Sequence, residues 1–226
     1  MSFTAIVSYD GTPNDNDALT LARVFGDAGA RLILTYVRHT VASRYRGGEQ
    51  LAEDEAQALL DRGASTLNTP AQTRVAVHGK TSEGLRALAE ADGAQLTVFG
   101  SEYRTPTGRV APQLSTQALY ENGPTAIAIA PAGYVEKPIR TIGLLAGLDD
   151  HAAIDTAHAF ATRFGATVAD QTHNVDLLIV GSRKEAQSGK VLLSSHAQNV
   201  IDGATAPVIV VARDVPLALP TPATVA

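Results

Sequence analysis

The chain has no cysteine, no tryptophan and one methionine, and aromatic residues make up only 5% of its 226 positions. Without cysteine there is no disulfide framework, and no thiolate to act as nucleophile, metal ligand or redox centre. That fits a reducing, cytoplasmic setting. No apolar run reaches the roughly 18 residues of a membrane helix. The opening "MSFTAIVSYDG" lacks the basic region and long apolar segment of a signal peptide. No basic stripe or polybasic tail is found, and a formal net charge of −5 with a pI near 5.6 argues against nucleic acid or an anionic membrane as a partner. What remains is a hydrophobic fraction of 45% with a mean hydropathy of +0.02, the balance of a soluble globular protein. The length allows one large domain or two modest ones.

Short apolar runs alternate with segments of helical periodicity. "TAIVSYDGT" reads as a buried strand ending in turn residues. "TPND" from Thr12 then has capping-box spacing, with Pro13 at the first helical position and Asp15 as the acid that reaches back. The helix "ALTLARVFGDAGA" stops at Gly29. "RLILTYV", "TRVAVHG", "QLTVFG" and "TAIAIAP" are further strands. They are separated by the helices "EQLAEDEAQALLDRGASTL" and "SEGLRALAEADGA", the latter with Ser82 as a cap, and by a loop and short helix around "STQALYEN". Alternating strands and helices predict a five-stranded parallel sheet with helices on both faces, a Rossmann-like α/β fold.

After "APAGYVEKP" the pattern restarts. "IRTIGLLAGL" is a strand, "DHAAIDTAHAFATRFGA" a helix, and "TVAD", "VDLLIV" and "APVIVVA" three more strands. Gly100 and Gly181 each end such a strand, and 181 − 100 = 81. The same offset pairs Ser101 with Ser182, Gly108 with Gly189, Arg109 with Lys190, Val110 with Val191 and Ile127 with Val208. This is an internal repeat. The second copy is abridged, because nothing between "ATVAD" and "VDLLIV" can hold a counterpart of residues 40–94. The expected organisation is a full domain over 1–131, a linker over 132–138, an abridged domain over 139–213 that leans on the first, and a proline-containing tail over 214–226, extended or frayed.

The loop "VGSRKEAQSGKVLLSS" between two buried strands is where α/β proteins place anion-binding backbone N–H groups. With its repeat, the chain resembles the universal stress protein family in a tandem form. That resemblance implies stress-response regulation. In nucleotide-binding members it also implies an adenine nucleotide such as ATP, with no metal beyond a magnesium ion carried by the nucleotide. In the first copy Asp10, Gly11 and Thr12 match the family's Asp-Gly-Ser, and Val37 falls where backbone groups hold adenine. Gly100 and Ser101 open the phosphate loop. In the second copy Gly181, Arg183 and Ser195 match the first glycine, the phosphate-facing arginine and the terminal serine. Both loops are degenerate: Glu102 stands at the arginine position, Tyr103 at the second glycine and Gln113-Leu114 at the Gly-Ser, while Lys184 and Ser194 replace glycines in the second copy. The resemblance therefore implies at most weak nucleotide binding. It further implies pairing of "TAIAIA" with "PVIVVA", a homodimer through sheet edges, and protein clients the sequence does not name.

Plainer readings stand beside each of these. Asp10 also suits a turn, the two glycines a tight strand-to-helix passage, Arg183 a solvated loop, and Ser195 a helix cap. "HGKTS" at 78–82 lacks the leading glycine of a P-loop. His151, Asp155 and His158 share a helical stripe that reads better as a solvated border than as a metal site. No nucleophile elbow or dinucleotide fingerprint is found. The alternatives to a weak nucleotide binder are a non-binding dimeric scaffold or protein-interaction module and, least supported, a nucleotide hydrolase.

Overall fold

The computed structural model describes residues 3–39 and 53–219. The start of the expected second helix, and the end of the tail, lie outside them. The strands and helices in chain order are β1 (Thr4–Ser8), α1 (Asp15–Asp27), β2 (Arg31–His39), α2 (Glu53–Thr66), β3 (Ala71–His78), α3 (Thr81–Asp92), β4 (Leu96–Gly100), α4 (Leu114–Gln117), β5 (Glu121–Gly123) and β6 (Ala126–Ala130). They continue with β7 (Thr141–Leu145), α5 (His151–Phe164), β8 (Thr167–Ala169), β9 (Leu177–Val180), β10 (Val191–Leu192), α6 (Ser195–Asp202) and β11 (Val208–Val210).

The apolar runs form one nine-stranded sheet in the order β3-β2-β1-β4-β6-β11-β9-β7-β8. The five strands expected of the first copy are present and parallel, and four strands of the second copy continue the same sheet. The join is antiparallel: Val208, Ile209 and Val210 pair with Ile129, Ala128 and Ile127. These are the two terminal strands expected to pair, and they do so within one chain. The β6 edge that a single copy would offer to a partner is therefore covered by β11, and β3 and β8 are the outer strands.

Helix α1 is built on the predicted stripe, with Ala18, Leu21, Ala22 and Phe25 buried. On the same sheet face α5 buries Ala153, Ala157 and Phe160. The two helices meet through Phe25 and Phe160, whose rings stand edge-on at 6.1 Å, and Arg163 Nη2 donates to Asp27 O at 2.8 Å. Helices α3 and α6 cover the other face through Leu85, Ala89, Ala197 and Ile201. The linker residues dock as well. Gly133 N–H donates to Asp17 Oδ2 at 2.8 Å, and Arg23 bridges Glu136 at 2.6 Å.

The abridged copy covers itself cheaply. Where the missing helix–strand–helix would pass, the segment after β8 crosses β7 so closely that a Cβ on Gly143 would collide with Gln171 O. As far as 219 the tail is not frayed. Leu217 is 1% exposed, and its N–H donates at 2.9 Å to Thr156 Oγ1. The proline pattern carried no sign of this anchor. Three local expectations shift. Helix α3 starts at Thr81 after Lys80, so Ser82 is not its cap. Ser194, not Ser195, caps α6 by accepting from Ala197 N–H at 3.1 Å. The short helix keeps four residues, and the chain then forms β5, which pairs with β10 of the other copy.

Candidate functional site

In a doubly wound sheet the place for a ligand is beyond the carboxyl ends of the strands, where the strand order reverses. In the first copy that point lies between β1 and β4. Tyr9 N–H donates to Thr35 O at 2.9 Å, just beyond the last β1–β2 pair, Ser8 with Thr35. Continuing that register sets Asp10 abreast of Val37. Peptide groups alternate sides along a strand, so those of Val37 face the same side as Thr35 O, where the β1 ladder has ended. The Val37 side chain is buried against Gly84, where a Cβ would meet its Cγ1 at 2.7 Å. Only its backbone can serve a ligand.

Asp10 is exposed, and its Oδ1 accepts from Thr12 N–H at 3.1 Å. Asp15 reaches back as the capping-box spacing predicts: its Oδ2 accepts from Thr12 N–H at 3.3 Å and from Asp10 N–H at 2.6 Å. Asp15 is 3% exposed. Burial first, and then the Asp10 carboxyl beside it, push its pKa up to about 8. The helix itself begins one residue after Asn14, which makes no capping bond. Its side-chain amide donates instead to Ser101 O at 3.1 Å and to Glu102 O at 2.6 Å, clipping the β4 loop to α1.

The β4 loop is closed on itself. A Cβ on Gly100 would collide with the backbone carbonyl of Asn14, so the glycine is needed for close packing. Ser101 is fully buried, and its hydroxyl donates to Ala130 O at 2.7 Å and accepts from Ala111 N–H at 3.2 Å. The N–H groups of Glu102, Thr105, Gly108, Arg109 and Val110 all donate to carbonyls, and Arg104 N–H donates to the Glu102 carboxylate at 2.8 Å. Tyr103 is exposed, with the Arg104 guanidinium 4.8 Å from its ring centre.

The second loop repeats this wiring at the offset read from the sequence. Ser182 Oγ donates to Val211 O at 2.7 Å, Arg183 N–H to Leu192 O at 2.8 Å, and Gly189 N–H to Arg213 O at 2.7 Å. Each has its twin 81 residues earlier: Ser101 with Ala130, Glu102 with Ala111, and Gly108 with Ala132. The loops also cross the seam between copies. Val110 N–H donates to Ala204 O at 3.0 Å, and Arg109 Nη1 to Gly203 O at 3.2 Å. In the other direction Val191 pairs with Gly123, and 204 − 81 = 123.

Gly181 is pressed by the Asp150 carboxylate, which a Cβ there would strike. Asp150 caps α5, with Oδ1 accepting from Ala153 N–H at 3.3 Å. It is 2% exposed, and its Oδ2 has no hydrogen-bond partner among the described residues. Burial raises its pKa, against the Ala153 N–H, Arg213 and the Ser182 N–H. Arg183 does not face a common centre with Ser195. Its Nε bonds to Glu185 Oε2 at 3.1 Å on the surface, and Ser195 is the exposed first residue of α6. His151, Asp155 and His158 are exposed. Among the described residues no group of three or more His, Asp or Glu side chains is placed to hold a metal ion, and no helix is long and apolar enough to cross a membrane. A depression lined by Asn16, Leu19, Thr20, Arg23 and Thr66 shares no residue with either loop.

The residues present do not fit a triphosphate. A phosphate cradle needs free backbone donors and close backbone approach. Here seven N–H groups from Glu102 to Ala111 are already engaged, that of Arg104 by the Glu102 carboxylate. Sequence reasoning missed Asn14 and Asp150. Both precede a helix directly, a position that signals a cap and gave no hint that these side chains meet the loop after the neighbouring strand of the sheet.

A parallel α/β sheet with its loops at a switch point, duplicated and joined through terminal strands, defines a Rossmann-like fold. A model of the universal stress protein family matches residues 1–119 and 165–212. The chain belongs to that family. A universal stress protein from Archaeoglobus fulgidus is similar in fold, with a TM-score of 0.69 at 11% identity over 93% of this chain and 98% of that one. A functionally unknown protein from Pseudomonas aeruginosa is similar too, with a TM-score of 0.67 at 13% identity over 93% and 92%. A universal stress protein solved in complex with cAMP matches more loosely, with a TM-score of 0.40 at 19% identity over 58% of this chain and 98% of that one, a likeness too low to bear on the ligand here. No curated protein matches the chain in sequence.

Proposed function

We propose that the protein is a universal-stress-type regulatory protein whose first copy takes an adenine-type ligand weakly at the β1–β4 edge, with Asp10 as acceptor for a hydroxyl or amine and the Val37 backbone against the base. Thr12, Gly100 and Ser101 shape that edge. The observation that carries this is an exposed Asp10 carboxylate two residues beyond the last β1–β2 pair, in a register that, continued, sets it abreast of the Val37 peptide. A carboxylate accepts from ribose hydroxyls and exocyclic amines alike. The test is titration calorimetry with adenosine, AMP, ADP and ATP at millimolar concentration, repeated on Asp10→Ala. Binding lost in the variant supports the reading, and heat unchanged by the substitution removes it.

A second reading, a non-binding scaffold, is favoured by one observation: both loops fasten the two copies together across the seam. No heat from any of the four compounds would select it. Nucleotide hydrolysis is the least supported reading, since the loop presents engaged donors and a carboxylate where a transferring phosphoryl group needs cations and free N–H groups.

A further inference from the structure

Two acidic side chains occupy the donor groups of the β1–β4 edge from within. Asp15 takes the N–H groups of Asp10 and Thr12, and Glu102 takes that of Arg104. Asn14 holds both loop carbonyls, Ser101 O and Glu102 O, and its own carbonyl closes on Gly100. The edge offers a ligand the Asp10 carboxylate and the Val37 peptide, with the Glu102 carboxylate held in the loop alongside. An uncharged ligand that donates to the Asp10 carboxylate gains from such a set, while a phosphate finds like charge and a loop in which seven N–H groups are already engaged.

From this arrangement we infer that the edge selects the unphosphorylated form of its ligand, a neutral nucleoside, and that Glu102, held in place by Asn14, sets that preference. This deepens the reading above and rests on it. Glu102 acts by repulsion, which discriminates between partners as effectively as a new attraction does. It also replaces, from the protein's own chain, the anion that would otherwise order the loop.

The test is calorimetric titration of adenosine, AMP and ATP into the full chain and into Glu102→Gln, whose amide oxygen can still accept the Arg104 N–H. Adenosine should bind about tenfold or more tightly than ATP in the unaltered chain. In Glu102→Gln the ratio should narrow while adenosine affinity stays as it was. Raising the salt should narrow the ratio more in the unaltered chain than in Glu102→Gln, because screening acts on charge repulsion and only Asp10 still supplies it in the variant. ATP binding as tightly as adenosine, or a ratio unmoved by the Gln substitution, overturns the inference and leaves the adenine-type site standing. Silence from all three compounds overturns the site itself.

Discussion

Ser101 and Ser182 make the same hydrogen bond in two places. Each hydroxyl donates at 2.7 Å to a carbonyl 29 residues ahead, Ala130 for the first and Val211 for the second. Each also accepts a loop N–H, from Ala111 at 3.2 Å and from Leu192 at 3.4 Å. A buried hydroxyl that both donates and accepts ties the loop base to the last strand of its copy. Removing it strands one buried carbonyl and one buried N–H, at a cost of about 1–3 kcal/mol. Ser101→Ala and Ser182→Ala should each lower the urea midpoint by that equivalent without changing the slope. A loss below about 0.3 kcal/mol in both would mean that the shared bond is incidental.

The glycines that open the two loops should differ in tolerance. An alanine at 100 meets a backbone carbonyl, that of Asn14, which moves only if α1 moves. At 181 it meets the Asp150 carboxylate, a side chain with some freedom. At 93 the φ of +59° is the only obstacle, with open space around the new Cβ. Overpacking against rigid neighbours costs about 1–3 kcal/mol or more, and an αL alanine about 1. The expected order of destabilisation is Gly100→Ala, then Gly181→Ala, then Gly93→Ala. Thermal unfolding of the three variants checks it, and Gly93→Ala proving the worst would refute the packing argument.

Much of this architecture was legible in the residues. Five apolar runs before residue 131 and four after it became nine strands of one sheet, because a run buried on both faces needs a neighbour on each side. The offset of 81 was readable because Gly108 and Gly189 must each take φ near +75°, so the loop cannot drift in sequence without losing its turn. The pairing of β5 with β10 was not readable. Those strands are three and two residues long, too short to show a period of two, and they pair where the seam brings the two loops together. The candidate site was half legible. Asp10 and Val37 could be placed from strand ends, whereas the closure of the loop by Asn14 and Glu102 depends on contacts 87 and 88 residues apart in the chain. Pattern rules reach across one turn and not across a sheet.

The docked tail makes a separate prediction. Leu217 joins the core cluster that contains Phe25, Phe160 and Val211, and its N–H is tied to a hydroxyl that in turn donates to Ala152 O at 2.7 Å. Deleting a buried leucine side chain costs about 2–5 kcal/mol. Leu217→Ala should fall in that range, and Thr156→Val should add to the loss by orphaning the Leu217 N–H. Chemical denaturation of both variants provides the measurement. An unchanged midpoint for Leu217→Ala would show that the tail lies on the surface.

Asp15 should make the fold weaker as the pH rises. Its pKa in the folded chain is raised to about 8, by burial and then by the Asp10 carboxyl, from the ordinary value of 3.8. A raised value means that the folded chain binds the proton more tightly than the unfolded one. The associated stability is therefore complete below about pH 4 and declines until the pH has passed about 8. Asp150, raised by burial in the second copy, acts in the same direction. Asp15→Asn keeps an oxygen for the Asp10 and Thr12 N–H groups and cannot ionise. Its melting temperature should match that of the unaltered chain near pH 4 and exceed it by a margin that grows until about pH 8. Asp10→Asn should also reduce the decline, by removing the neighbouring charge. Parallel melting curves for Asp15→Asn and the unaltered chain across that range would rule out a carboxyl held neutral at this position.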